Sequence, residues 1–508
     1  MKIKKIEILF AFFSGLLGTI SFSPYKIWIF SIFSLFFLIL QLKNKSKKES
    51  FFIGFLWGLG FFSSGISWLY ISLKNFSNLS LYVGSFLILF LISYLSIYPA
   101  IFSFLIKYFN VYQERKKIIF LIPTIWSCVE FLREKMFTGF PWMQIGYAHT
   151  ESPIKNIIPI LGIKGANFFV LLVASILFYG TIKKKYLFLA IVVLYFPSIF
   201  EFLQKKQNQI KNIQITLVQG NIEQDTKWNK KKIKETLLKY FQKSEMFFGK
   251  SEIIIWPESA IADLEENQIE FLKKLDEKLK FFGTNLITGI ITQKNKKKNE
   301  YYNSIITLGK FKKKYQFPIE QKYKKYNLVL FGEKIPFKKF LKYYFYSGEF
   351  SDFHKGEYLQ KLIQISKINI LPTICYEIIF GERIRKNFSQ KVDFILNISN
   401  DAWFGSSIGP WQHIQISQIR AIEMGRTIVR CSNSGITAII NPRGKIISIL
   451  PQFYRGSLTC KVPIIKKKTI YSVFGNIPIN IVQFTIFFFS IKIKIRKFQF
   501  FFKRLYKK

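Results

Sequence analysis

Ile368-Asn369-Ile370-Leu371-Pro372-Thr373-Ile374-Cys375-Tyr376-Glu377 is a short apolar run that stops on a thiol and a carboxylate. A run of this length, rich in β-branched residues and ending in polar ones, reads as a buried strand. The layout recurs upstream, where Ile253-Ile254-Ile255-Trp256-Pro257 stops on Glu258. Further β-like runs are Ile213–Val218, Leu286–Thr292, Tyr302–Leu308, Phe394–Ile398 and Ile436–Ile440, the last followed by the turn Asn441-Pro442-Arg443-Gly444 and then Lys445–Ile449. Helical patterns over Lys231–Phe248 and Ile408–Met424 lie between them. This alternation predicts an α/β domain with buried sheets and its polar chemistry at strand ends.

Upstream of Asn212 the texture is different. Apolar stretches run over Ile8–Phe22, Ile27–Leu42, Phe51–Leu73, Leu81–Ile106, Ile118–Leu132, Ala166–Ile182 and Tyr186–Phe202, with one more at Phe474–Ile491. A helix needs about 20 apolar residues to cross a bilayer core. The runs predict a multi-pass α-helical membrane domain of about eight spans; the fifth, interrupted by Glu130, also suits a buried core helix. The first run is followed by more of the same, so it reads as a retained span rather than a cleaved signal peptide.

The loop charges orient these spans. Lys43, Lys45, Lys47 and Lys48 follow the second run, Lys107, Arg115, Lys116 and Lys117 the fourth, and Lys183, Lys184 and Lys185 the sixth. The opposite loops hold Lys26 alone and Lys74 alone, and 133–165 is only thinly basic. Basic residues concentrate on the cytoplasmic side. The expectation is a membrane domain over 1–205 with about seven spans, an extracytoplasmic domain over 206–470, and a last span with a basic cytoplasmic tail over 471–508. The aromatic loop Thr138–Tyr147 is expected at headgroup level, as an interfacial belt or as part of a lipid-binding mouth.

A composition 50% hydrophobic and 18% aromatic with a net charge of +45 suits apolar spans with basic flanks. Part of the lysine excess matches a bias that also enriches Phe, Ile and Asn. Nucleic-acid binding is not expected, because the aromatics fall in apolar runs rather than beside a basic stripe. The 4 cysteines form no C-x-x-C pair, and the 3 histidines leave no usual zinc spacing, so no metal and no cofactor is expected. Whether Cys431 and Cys460 pair is a question of geometry.

With histidine scarce, a Cys-His engine is improbable, although His413 is available for one. A buried cysteine after a strand is commonly just a small apolar residue. Used as a nucleophile, Cys375 needs a base and an anion stabiliser, and the residues at hand are Glu258 and a lysine. Lys325 precedes Glu333 by eight residues in Lys325-Tyr-Asn-Leu-Val-Leu-Phe-Gly-Glu333, and would lower the thiol pKa and hold an oxyanion. Glu333 would orient Lys325. Nothing in the spacing alone brings the three together.

The motifs resemble those of the nitrilase-like carbon–nitrogen hydrolases and, within them, the apolipoprotein N-acyltransferases of bacterial inner membranes. The resemblance covers nearly the whole chain. It is carried by Ser23-Pro24-Tyr25, Gly65–Tyr70 and Thr138–Trp142 in the membrane half, and by Gln219–Ile222 with Lys227-Trp228, Trp256–Ala260, Lys325–Glu333, Thr373–Glu377, Ser399–Gly405, Gly409–His413, Arg420–Glu423 and Ser432–Gly435 downstream. The family's lysine motif usually has a histidine and a proline where this chain has Asn327 and Leu330.

The resemblance implies a four-layer α-β-β-α sandwich on the periplasmic side of the inner membrane. It implies acyl transfer from a membrane phospholipid, through a Cys375 thioester, to the α-amine of a diacylglyceryl-modified apolipoprotein. Glu258 acts as base, Lys325 stabilises the oxyanions and Glu333 supports them. Trp228, Tyr376, Glu377 and Trp403 shape the substrate mouth. Two other readings compete: a membrane-anchored amidase of small amides, which shares the same three residues, and a transporter or receptor whose outer domain only binds ligand and in which Cys375 would be chemically silent.

Overall fold

The computed structural model describes residues 3–76, 81–203, 209–293, 300–310, 314–330, 332–334, 352–465 and 468–490. The basic tail expected over 492–508 lies outside them. The chain folds into two compact units, one of residues 1–67, 85–205 and 469–508, the other of 68–84 and 206–468.

The first unit is helical. Its main helices are Lys5–Thr19, Ile29–Leu42, Lys47–Ile66, the greater part of Leu81–Tyr108, Ile122–Lys135, Ile158–Gly180 and Lys185–Tyr195. Among the described residues three helices are long and apolar enough to cross a membrane: Lys47–Ile66, Leu81–Tyr108 and Pro153–Gly180; Ile29–Leu42 and Ile477–Ser490 are apolar but shorter. The count of about eight is therefore not confirmed by helix length. The first run yields only 15 helical residues, and the seventh breaks at Pro197 into a 3-10 turn, because proline cannot donate the backbone hydrogen bond that a continuing helix needs.

Lys47–Ile66 starts at a capping box, in which the Glu49 N–H donates to the Ser46 hydroxyl at 3.3 Å and Glu49 Oε2 accepts from the Ser46 N–H at 3.0 Å. Its glycines let neighbouring backbones touch. A Cβ on Gly60 would strike the Phe12 carbonyl, and one on Gly15 the Trp57 carbonyl, so Lys5–Thr19 and Lys47–Ile66 cross through small residues.

The loop expected at headgroup level packs its aromatic rings against the protein. Trp142 and Tyr147 are buried. Arg133, paired with Glu130 at 2.6 Å, donates to the Phe140 and Trp142 carbonyls at 2.7 and 2.6 Å. A buried guanidinium needs these partners, and satisfying it draws the loop in.

Among the described residues the second unit holds thirteen strands: β1 (Gln209–Gln219), β2 (Ile253–Ile255), β3 (Ile261–Leu264), β4 (Asn285–Gln293), β5 (Tyr301–Gly309), β6 (Lys322–Lys324), β7 (Ile363–Ile365), β8 (Ile368–Ile374), β9 (Phe394–Ser399), β10 (Thr427–Ser432), β11 (Thr437–Ile440), β12 (Ile446–Leu450) and β13 (Gly456–Ile465). One sheet runs β13-β1-β2-β4-β5-β6, with β3 beside β4; the other runs β12-β11-β10-β9-β8-β7. The centre of each is parallel: β1-β2-β4 in the first, β8-β9-β10 in the second.

Strands buried on both faces read as continuous apolar runs, which is why they stood out in the sequence. In β2, Ile253 and Ile255 join one core with Ile370, Ile374, Leu396, Ile398 and Val429 of the other sheet. Ile254 points the other way, into a second core with Leu237, Tyr240, Leu272 and Leu279. These last lie on helices Ile233–Glu245 and Ile269–Phe281. Helix Gly409–Met424, almost wholly buried, packs against β10 and β11. The unit is a four-layer α-β-β-α sandwich.

Helix Leu69–Phe76 begins inside the run Phe51–Leu73 that reads as membrane, yet Trp68–Gly84 belongs to this unit. Trp68 Nε1 donates to Gln412 Oε1 at 3.1 Å and its ring meets Phe404 edge-on at 4.7 Å. The Ser72 hydroxyl donates to the Trp403 carbonyl at 2.7 Å. Polar anchors in an apolar stretch decide its side. Cys431 and Cys460 are free thiols; Cys431 Sγ faces the Ile255 carbonyl and Cys460 Sγ the Ser448 hydroxyl, each at 3.4 Å.

Candidate active site

Three strand ends of the sandwich deliver the three predicted groups. Glu258 lies just past β2, Lys325 directly after β6 and Cys375 directly after β8. Parallel strands present chemistry at such ends because the backbone there leaves the sheet. Cys375 makes that exit with φ +50° and opens a 3-10 turn, Cys375–Ile379.

Lys325 Nζ donates to Glu258 Oε1 at 3.0 Å and to Glu333 Oε1 and Oε2 at 2.9 and 2.8 Å. Asn303 Nδ2 bridges the same two carboxylates at 2.8 and 2.9 Å. All four residues are buried. Glu333 Oε2 also accepts from the Val329 N–H at 3.0 Å. An ammonium this deep is disfavoured by burial, but Glu258, Glu333 and the thiol outweigh that and push Lys325 well above its ordinary range. Burial first, then the Glu258 charge, pushes Glu333 up against the pull of Lys325.

The thiol departs from the expectation. Lys325 does pull Cys375 down, but burial and Glu258 outweigh it and push the thiol up to about 12. The resting group is a thiol rather than a thiolate at neutral pH, so its proton must leave as the nucleophile attacks. A carboxylate held beside it is suited to accept that proton.

Glu377 is placed differently from a mouth residue. It is fully buried. Oε1 accepts from the Tyr326 and Asn327 N–H groups at 2.7 and 3.2 Å and from Arg383 at 3.0 Å. Oε2 accepts from the Tyr323 hydroxyl at 2.6 Å and the Ile374 N–H at 2.9 Å. One carboxylate thus joins the backbone after Lys325 to the backbone before Cys375, and it positions rather than binds. Asn327, a departure from the family pattern, enters this network through its main chain; Leu330 is exposed.

Trp228, Tyr376 and Trp403 are half-buried. Trp228 packs against a cluster of Leu264, Ile291, Leu328 and Phe353. Tyr376 meets Phe380 edge-on at 5.3 Å.

Residue-level reading assigned no role to Asn303 or Lys227. Asn303 sits mid-strand in Tyr301-Tyr-Asn-Ser, where no spacing marks it. Lys227 is buried and donates to the Glu258 main-chain oxygen at 2.7 Å. Burial lowers it to about 8, although Glu258 and Cys375 favour its charge. Its only signal was a place beside Trp228, lost among many lysines. The charges of Glu258, Lys325 and Lys227 therefore act on one thiol, with Glu333 joined to them through Lys325. Among the described residues no group of three or more His, Cys, Asp or Glu is placed to hold a metal ion.

The chain is similar to known proteins. Residues 14–176 match the model of the apolipoprotein N-acyltransferase N-terminal domain, and residues 214–465 that of the carbon-nitrogen hydrolases. The chain is 43% identical over 503 residues to the apolipoprotein N-acyltransferase of Wigglesworthia glossinidia brevipalpis, covering 96% of this chain and 99% of that one. It is 38% identical to that of Pasteurella multocida, covering 94% and 93%. Among solved structures it is similar to Saccharomyces cerevisiae Nit3, a member of branch 10 of the nitrilase superfamily, at 16% identity and a TM-score of 0.36 over 53% of this chain and 96% of that one. The full-length likeness, two domain models in the same order and a buried thiol among paired charges converge: the chain belongs to the apolipoprotein N-acyltransferase family.

Proposed function

We propose that this chain moves a fatty acyl chain from a membrane phospholipid, through a thioester on Cys375, to the α-amine of the lipid-modified N-terminal cysteine of apolipoproteins. The observation that carries the reading is Lys325 bridging Glu258 and Glu333 beside a buried thiol, in a chain of this family. In the first half-reaction the Cys375 sulfur attacks the ester carbonyl while Glu258 takes the thiol proton. Lys325 stabilises the oxyanion. The tetrahedral intermediate collapses, Glu258 returns the proton to the departing alkoxide, and lysophospholipid leaves. In the second half the acceptor amine attacks the thioester, Glu258 takes a proton from the nitrogen, and the restored thiol receives it as the amide forms.

The proposed frame is a membrane domain over 1–205 with about seven spans, an extracytoplasmic catalytic domain over 206–470 facing the periplasm, and a last span with a basic tail over 471–508, in a bacterial inner membrane. It is supported by the apolar helices and by the alternation of basic and non-basic loops. Trp228, Tyr376 and Trp403 shape the lipid mouth, and Glu377 keeps the two halves of the site in register.

Intact-mass measurement after incubation with phospholipid tests the reading. Wild type should gain one acyl chain, Cys375→Ser and Cys375→Ala should not, and a diacylated lipopeptide should discharge the adduct. No adduct, with turnover of small amides instead, would mean an amidase.

A further inference from the structure

The main-chain oxygen of Cys375 is held by a buried polar cluster that takes no part in the proton transfers above. Asn397 Nδ2 donates to it at 3.3 Å, and His413 Nε2 lies 3.2 Å from it. His413 Nδ1 is 3.0 Å from Arg430 Nη2 and 3.2 Å from Asp401 Oδ1. A carbonyl oxygen only accepts and a guanidinium only donates, so the tautomer with hydrogen on Nε2 satisfies both neighbours. Asp401 Oδ1 then takes its hydrogen from the Ser399 hydroxyl at 2.7 Å, and Oδ2 accepts from Arg430 at 2.6 Å. Arg430 Nη1 also donates to the Asn397 amide oxygen, which turns the amide nitrogen toward Cys375.

Every member is buried, and the members come from four places: β9, the turn after it, helix Gly409–Met424 and β10. Burial, reinforced by the Arg430 charge, lowers the His413 pKa, so the ring stays neutral. The oxygen they converge on belongs to a residue with φ +50°, a conformation an L side chain rarely adopts without support. Relaxing that φ rotates the peptide plane and breaks both hydrogen bonds to the carbonyl.

We propose that His413, oriented by Arg430, which Asp401 in turn holds, is a positioning residue for the reaction: it holds the Cys375 carbonyl and thereby fixes where the sulfur projects. The proposal rests on the reading of Cys375 as the acyl-accepting nucleophile. It separates His413 from the histidine of a Cys-His engine, since the ring serves the backbone of the nucleophile.

The test compares full-length wild type with His413→Gln and His413→Leu, purified in detergent. Glutamine can place an amide donor near the Nε2 position; leucine keeps the bulk without it. Two rates are measured: Cys375 acylation across phospholipid concentrations, and Cys375 alkylation by iodoacetamide. Losing one hydrogen bond that acts on the reacting geometry should lower the maximal acylation rate of His413→Leu by roughly tenfold to a hundredfold, with the half-saturating phospholipid concentration unchanged. His413→Gln should stay within about threefold of wild type. A folded His413→Leu that acylates at the wild-type rate, or a folded His413→Gln that falls as far as His413→Leu, overturns the proposal. If His413→Leu does not fold, His413→Gln decides: a loss beyond about tenfold with a wild-type melting temperature counts against it, and a rate within about threefold supports it. If wild type takes no acyl group from phospholipid, the donor reading fails, and alkylation still tests the clamp. There His413→Leu should depart from wild type by about tenfold and His413→Gln should restore the rate, and equal rates in all three overturn the clamp.

Discussion

Burial and the Glu258 charge together keep the Cys375 thiol protonated through the neutral range. Its alkylation should therefore keep rising by about tenfold per pH unit through pH 10, without the plateau of an activated thiol. Glu258→Gln removes an anion that raises the thiol pKa, so alkylation at pH 8 should become faster by about tenfold while acylation falls by roughly a thousandfold. A variant slowed in both assays would show that Glu258 does not act on the thiol through its charge. Lys227 makes a second case. An unfolded lysine keeps its proton up to about pH 10.4, and folded Lys227 releases it near 8. Between those values the unfolded state binds more protons, so this group adds stability as pH rises, by roughly 3 kcal/mol in all. Chemical denaturation of wild type and Lys227→Met at pH 8 and pH 10 reads it out: wild type should gain on the variant, and a gap independent of pH would refute the assignment. None of these environments was legible in the sequence, because desolvation depends on neighbours from distant strands.

At the scale of elements, the strands that carry Glu258 and Cys375 were legible because both faces of each are covered and apolar. The short strands β3, β6 and β7 were not, nor was β10, whose Arg430 interrupts an apolar run to serve a buried network. Glu377 shows the limit most clearly. It stands two residues from the nucleophile and reads as a site residue, yet its carboxylate joins two chain segments. Glu377→Gln leaves Arg383 buried without its counter-ion, and should cost about 3–5 kcal/mol of stability. Urea unfolding of the variant checks it, and a loss below about 1 kcal/mol would mean that the network is dispensable. In the helical unit, Gly60→Leu would force the Phe12 carbonyl away and should abolish the close crossing, seen as loss of folded protein on size exclusion.

For the molecule as a whole, the loop charges make a prediction about sidedness. With endogenous cysteines replaced, Ser389→Cys should react with a membrane-impermeant maleimide in cells with a permeable outer envelope, and Ser46→Cys only after lysis. Both positions are exposed, so labelling of Ser46→Cys in intact cells would invert the proposed frame. The sequence by itself determined the division into an apolar helical part and an α/β part, the strands bearing Glu258 and Cys375, and the residue types of the chemistry. Hydrophobic periodicity is local and reports burial directly. Tertiary structure alone decided that Lys325 is shared by two carboxylates, that the Asn303 amide bridges the same two and Lys227 holds the Glu258 main chain, that Trp68–Gly84 belongs to the second unit, and that His413 lies against the Cys375 carbonyl. Each of these depends on hydrogen-bond partners far apart in the chain, and a buried polar group takes its role from the partner that satisfies it.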